Sequence, residues 1–192
     1  MMRRIKLQMQ ISIDGFVSTG PNDEQQWVTW AWDEIQEDVL ETIGSCDTIL
    51  IGRTLAVDFI PHWQSTVTNQ KDPMHALAEH IVRCQKLVFT KSLHEAKWDN
   101  TKIINGDLQS EIPKLKTSMA AADMFVCGGT SFVSSLIEHD LIDEYNLYVN
   151  PVALGKGESI FRSLGGFRRL ELSRSKAYSS GIVLHQYVRV RS

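Results

Sequence analysis

Apolar and polar residues alternate without a break at the start of the chain. Ile5, Leu7, Met9, Ile11 and Ile13 are apolar, and Lys6, Gln8, Gln10 and Ser12 between them are polar. A period of two predicts a strand with two unlike faces, and Asp14-Gly15 ends it. The period then lengthens. Ile35, Val39, Leu40 and Ile43 fall on one face of a helix over 33–43, closed by Gly44. Thr48–Ile51 reads as a short buried strand that stops at Gly52-Arg53. Met74, Leu77, Ala78, Ile81 and Val82 give an amphipathic helix over 73–84 with Pro73 near its start. Leu87–Phe89 is the next strand. A helix follows over 110–119, begun near Ser110 because Pro113 would break a longer one. Met124–Cys127 is a strand running into Gly128-Gly129, and Phe132, Val133, Leu136 and Ile137 mark the helix after it. Tyr145–Val149 is a strand, and two more lie near 167–174 and 181–190 around a turn at Ser179-Ser180-Gly181.

Strands and helices therefore alternate until the last two strands. That order predicts an α/β fold: three αβα layers, a mostly parallel central sheet and antiparallel C-terminal strands. No repeat, linker or low-complexity stretch interrupts residues 1–192, so one domain is expected. Hydrophobic residues make up 43% and charged residues 22%, the balance of a globular chain. A net charge of −3 gives no footing for nucleic acid or an acidic membrane. Cys46, Cys84 and Cys127 are too widely spaced for a zinc site, and the six histidines show no ligand spacing, so no metal is expected. No stretch reads as a signal peptide or a membrane span, which points to a cytoplasmic protein.

Ligands of such sheets bind beyond the carboxyl ends of the strands. Three strands end in residues suited to phosphate: Gly52-Arg53-Thr54, Thr90-Lys91-Ser92 and Gly128-Gly129-Thr130-Ser131. Glycine lets a backbone approach a phosphate, and a helix start offers free N–H groups. Arginine or lysine beside hydroxyls suits a further phosphate, such as the ribose 2′-phosphate of NADP. Each motif alone is a common turn or cap; three at successive strand ends are a stronger signal. Neither GxGxxG nor GxxxxGK[ST] occurs, so the standard dinucleotide fingerprint and the P-loop are excluded.

Several segments together carry a family resemblance. They are Ser12-Ile13-Asp14-Gly15-Phe16, Gln26-Trp27, Ile49–Arg53, Cys127-Gly128-Gly129, Leu141–Tyr145 and Asn150–Gly157. In this order they resemble the dihydrofolate-reductase-like group that includes the reductase domain of the bifunctional riboflavin-biosynthesis deaminase-reductase. The resemblance runs nearly end to end. It implies a dihydrofolate-reductase-like fold and an NADPH-dependent reductase of a small heterocycle or imine. NADPH would lie across Gly52, Arg53, Thr90, Ser92 and the 128–131 turn. Trp27 matches a tryptophan on the nicotinamide side; packing in a loop or core is its other reading. A nucleotide-binding protein of the same fold with little turnover is the alternative function.

Two departures bear on substrate. The family pattern Gly-Arg-x-Thr is here Gly52-Arg53-Thr54-Leu55, which puts the threonine one place early. Cys127 stands where the riboflavin enzyme has a substrate-binding glutamate, and the segment Ala56–Trp63 contains no arginine to clamp a substrate phosphate. The zinc-deaminase signature is missing as well. These departures imply a stand-alone relative with a different substrate. Reduction of C=N needs a proton, which a buried acid of raised pKa can supply. Asp14 and Asp33 are the candidates; turn formation and helix-start electrostatics are their other readings. Trp27, Trp30, Trp32 and Trp63 form either a wall for a flat ring or a hydrophobic cap. The terminal strands at a sheet edge predict a homodimer.

Overall fold

The computed structural model describes residues 2–20, 23–118 and 122–190. In chain order the elements are β1 (Ile5–Ser12), α1 (Gln26–Thr29), α2 (Trp32–Gly44), β2 (Cys46–Gly52), α3 (Arg53–Thr66), α4 (His75–Arg83) and β3 (Gln85–Phe89). They continue with β4 (Thr101–Ile104), α5 (Leu108–Lys116), β5 (Asp123–Val126), α6 (Thr130–Glu138), β6 (Glu144–Asn150), β7 (Leu170–Ala177) and β8 (Val183–Arg189). This is the expected α/β class, with parallel pairing giving way to antiparallel pairing at the C-terminal strands. The chain divides into two compact units. One comprises Met1–Arg4 and Asp38–Gly129, the other Ile5–Glu37 and Thr130–Ser192.

In the first unit the strand order is β4-β3-β2-β5, and β2 pairs in parallel with both β3 and β5. Strands covered on both sides are apolar throughout rather than alternating. Ile49, Leu50 and Ile51 of β2, Leu87 and Val88 of β3, and Met124, Phe125 and Val126 of β5 are all buried. Helices α3, α4 and α5 contribute Ala56, Ile60 and Trp63; Leu77, Ala78 and Ile81; and Ile112. Helix α3 is absent from the sequence-based order, because Pro61 sits inside it. A proline frees the carbonyl four residues earlier. Here that residue is Val57, on the exposed side with Pro61, where water can bond the freed group. Pro113 likewise lies on the exposed side of α5, and that helix begins at Leu108 instead of Ser110. Strand β4, four residues long, was also not anticipated.

Arg3 anchors the N-terminal residues of this unit. Its buried guanidinium donates to the Ala122 carbonyl at 2.7 Å, Ser118 Oγ at 3.2 Å and Thr48 Oγ1 at 2.8 Å, and pairs with Asp47. A buried charge is tolerated when its donors are spent in this way.

The second unit has the order β1-β6-β8-β7, with β1 and β6 parallel and the other pairs antiparallel. The alternation of β1 is realised as two faces. Leu7 and Met9 lie opposite Tyr145 and Leu147 on the apolar one. The polar one is not given to water: Lys6, Ser12, Asn146 and Asn150 are buried. Strand β7 begins three residues later than the pattern suggested. Arg168 is instead spent on the end of α6, donating to the Ile137 carbonyl and to Asp140 Oδ1, both at 2.7 Å.

Two motifs from opposite ends of the chain meet in this unit. The Asp14 carboxylate accepts hydrogen bonds from Ser12 Oγ at 2.6 Å, Leu154 N at 3.1 Å and Gly155 N at 2.6 Å. Ile13 N donates to the Val152 carbonyl, Val17 N to the Glu158 carbonyl and Glu158 N to the Ser18 carbonyl. Gly157 lies at the closest approach, with φ +158°, and a Cβ there would land on the Ser18 carbonyl oxygen. Gly157→Ala should therefore cost about 2–3 kcal/mol. That lowers the melting temperature by roughly 4–12 °C for a chain of this size, as calorimetry would read.

The bonds to Asp14, Ser12 Oγ foremost, hold its carboxyl down at about 2. Its stabilising effect is complete above the ordinary carboxyl range and is lost as pH falls through about 2. Asp14→Asn should lower the urea midpoint at pH 7, and the gap to the unaltered protein should narrow as pH drops below about 4.

Candidate functional site

The phosphate-friendly strand ends of the first unit are brought side by side. Gly52 is in register with Phe89, so Thr90 follows β3 where Arg53 follows β2. Ile49 is in register with Phe125, which puts the 127–129 turn beside the end of β2 on its other flank. Adjacent strands lie about 4.8 Å apart, so the three ends span about 10 Å.

The central end is a helix start, since α3 begins at Arg53. Gly52 has an extended backbone, with φ −80° and ψ 151°, and no side chain caps the first turn of α3. The N–H groups of that turn are left for a ligand or water. Arg53 and Thr54 are its first two residues, both exposed, and Arg53 has no side-chain partner among the described residues. On one flank Gly129 holds φ +77°, a conformation that favours glycine. A Cβ on Gly128 would press on Leu55 Cδ2 at 2.8 Å. On the other flank Thr90 Oγ1 accepts from Ser92 N at 3.1 Å and Leu93 N at 3.3 Å, which folds the turn. Lys91 is tied elsewhere, with Nζ 2.7 Å from Asp107 Oδ1 and 2.9 Å from the Asn105 carbonyl oxygen. Both side chains of that pair are exposed, so it holds the lysine only weakly.

Cys127 precedes the glycine turn. Burial pushes its thiol up to about 12, which makes it a neutral wall rather than a nucleophile. Thr130 and Ser131 open α6 in the second unit, where Ser131 Oγ accepts from Arg162 Nη2 at 2.6 Å.

The remaining predicted residues also belong to the second unit. The reading of Asp14 as proton donor is opposed by its surroundings. It is exposed, and three hydrogen bonds favour its charged form, the reverse of a raised pKa. Asp33 sits exposed in the first turn of α2 and lacks the burial that the acid role requires. Trp27, in α1, is half-buried, and its indole N–H is enclosed without a partner among the described residues.

Pattern reasoning missed a group at the carboxyl ends of β1 and β6. Trp30 Nε1 donates to Asn150 Oδ1 at 3.1 Å, and Asn150 Nδ2 donates to Gln10 Oε1 at 2.7 Å. The polar positions of β1 were the available signal, but the partner of Gln10 is 140 residues away.

Comparison with known proteins gives one consistent answer. The family model described as the RibD C-terminal domain matches residues 3–184. Two proteins of Bacillus subtilis (strain 168) are similar along their length. One is the uncharacterized protein YyaP, 32% identical over 184 residues, covering 94% of this chain and 92% of its own. The other is the uncharacterized protein YwjB, 26% identical over 191 residues, covering 98% and 99%. Among solved structures, a putative riboflavin biosynthesis protein from Shewanella sp. PV-4 superposes with a TM-score of 0.75 at 16% identity, covering 98% of this chain and 99% of that one. The Thermotoga maritima diaminohydroxyphosphoribosylaminopyrimidine deaminase/5-amino-6-(5-phosphoribosylamino)uracil reductase gives 0.70 at 15% identity. This chain spans 57% of that protein's length. At such identities the structures share the fold, while the family match covers almost the entire sequence, and the chain belongs to the RibD C-terminal domain family.

Proposed function

We propose that the protein is an NADPH-dependent reductase that transfers a hydride to a small, uncharged heterocyclic or imine substrate. The observation that carries this reading is the uncapped start of α3, where an unpartnered Arg53 stands between the Thr90 and Gly128-Gly129 strand ends. NADPH, when bound, supplies the hydride. The chain's own residues fit its anionic parts. The N–H groups of the α3 first turn and the open backbone of Gly128 and Gly129 suit the pyrophosphate. Arg53 with Thr90, Ser92 and Thr54 suits the 2′-phosphate. Thr130 and Ser131, at the start of α6, are further candidates for the cofactor. Lys91 belongs to the same group as Arg53, since its exposed pair with Asp107 is weak enough to yield to a phosphate. Trp27, in the second unit, has an enclosed indole N–H with no partner among the described residues.

A neutral thiol at position 127 and the lack of an arginine over 56–63 argue against a phosphorylated substrate, because a buried phosphate needs a cationic clamp. We also read the protein as a homodimer. Strand β7 is the outer strand of its unit and is largely exposed along its length, and such edges are commonly covered by a second copy. Light scattering should then give twice the 21.8 kDa chain mass.

Tryptophan fluorescence titration tests the cofactor assignment. Arg53→Ala removes a charge-assisted hydrogen bond worth about 1.5–3 kcal/mol, so NADPH should bind roughly ten- to a hundredfold more weakly. NADH should change far less; equal losses for both cofactors would exclude Arg53 from the 2′-phosphate. Turnover is read as substrate-dependent loss of absorbance at 340 nm. The gene should fail to rescue a riboflavin-requiring strain that lacks the reductase, and rescue would show that a phosphate clamp exists elsewhere in the chain.

A further inference from the structure

The polar face of β1 holds a hydrogen-bond chain whose direction is fixed by its first member. An indole N–H can only donate. Trp30 Nε1 therefore requires an acceptor, and the Asn150 atom facing it is Oδ1. That leaves Asn150 Nδ2 to donate, to Gln10 Oε1 at 2.7 Å and to the Tyr148 carbonyl at 3.2 Å. Gln10 Oε1 is thereby occupied as an acceptor, and its Nε2 has no partner among the described residues. Asn150 is fully buried and has its side chain satisfied on both ends, so it cannot rotate without losing bonds. Gln10, half-buried, is the end of the relay and presents N–H donors.

Two residues along the same face, about 7 Å away by strand geometry, Gln8 Oε1 is enclosed without a hydrogen-bond partner among the described residues. An unpaired buried acceptor costs free energy that a donor brought by a ligand recovers. Elsewhere on this face the amides are spent on each other: Gln186 Nε2 donates to Asn146 Oδ1 at 2.7 Å, and Asn146 Nδ2 to Glu144 Oε1 at 3.1 Å. Gln8 and Gln10 are the two side-chain amides of β1, and both carry unspent capacity.

We propose that Gln10 is a specificity residue of the substrate site. It donates an N–H to a carbonyl oxygen of the substrate ring, with its direction set by Trp30 through Asn150, and Gln8 accepts from an N–H of the same ring. Trp30 and Asn150 are positioning residues. The inference rests on the reductase reading for the presence of a ring substrate, but the recognition can be measured without cofactor.

The probes are lumazine, which carries ring carbonyls, and 2,4-diaminopteridine, which has amino groups in their place. Lumazine should bind the purified protein saturably, read by tryptophan and lumazine fluorescence, and about tenfold more tightly than the diamino compound. Gln10→Glu keeps an oxygen for Asn150 Nδ2 but turns the outward donor into an acceptor. It should weaken lumazine about tenfold or more and reverse the preference. Gln10→Met should weaken lumazine without favouring the diamino ring. Trp30→Phe releases the relay and should narrow the preference several-fold. Near-UV circular dichroism and melting temperature confirm that each variant is folded, and NADPH affinity should be unchanged in the two Gln10 variants. Lumazine that fails to saturate the unaltered protein overturns the proposal, as does an equal preference in the unaltered and Gln10→Glu proteins. If the ring preference reverses as expected while NADPH does not bind, the assignment of Gln10 stands and the reductase reading falls.

Discussion

The parallel register of β2 with its two neighbours is the constraint on which the candidate cofactor site depends. Each motif at a strand end is ordinary alone. Pairing of Gly52 with Phe89, and of Ile49 with Phe125, turns three separate turns into one row. That register is held by close packing on both faces, because a slip of one residue would move each of the buried Ile49, Leu50 and Ile51 into space shaped for another side chain. The site is thus stabilised by the core beneath it rather than by its own polar contacts. Arg53 is exposed and unpaired among the described residues because the packing around it does not need it.

The second unit works differently, through polar groups spent inside the protein. Asp14 bonds the 154–155 turn, Arg168 and Arg189 both reach Asp140, and the Asp143 carboxylate accepts from Ile5 N at 2.9 Å. The motifs Ser12–Phe16, Leu141–Tyr145 and Asn150–Gly157 are therefore structural fastenings as much as signatures of a reaction. A carboxylate that grips a neighbouring turn must stay charged, and that requirement is opposed to delivering a proton. One residue type in one motif cannot meet both demands at the same pH.

Much of this was legible in the sequence. The alternation of β1, the apolar runs of β2 and β5, and the order of strands and helices carried the fold class and the strand ends. What was missed has physical causes. Pro61 hid α3 because a proline is harmless on the solvent side of a helix, a distinction that sequence does not display. The spacing of Asp14 relative to β1 was plain, but its partners Leu154 and Gly155 were not, since they are supplied by tertiary pairing. The Trp30–Asn150–Gln10 chain was hidden for the same reason. Polar residues on a strand ordinarily mean a wet face, and only the pairing of β1 with β6 and the burial of Asn150 show otherwise.

The placement of the first dozen residues has a further consequence for how the chain is made. Arg3 is completed by the Ala122 carbonyl, and β1 lies against β6, which ends at Asn150. On the ribosome β1 is thus made well before the strand that pairs with it. Until Asn150 has been synthesised, Ile5, Leu7, Met9 and Ile11 lack the complete β6 to join, and they present an alternating apolar edge of the kind that invites association with other nascent chains. Long-range parallel pairing of this sort closes slowly. The burden of keeping the protein out of aggregates therefore falls on the interval of its synthesis, and on whatever shields β1 until β6 has been made.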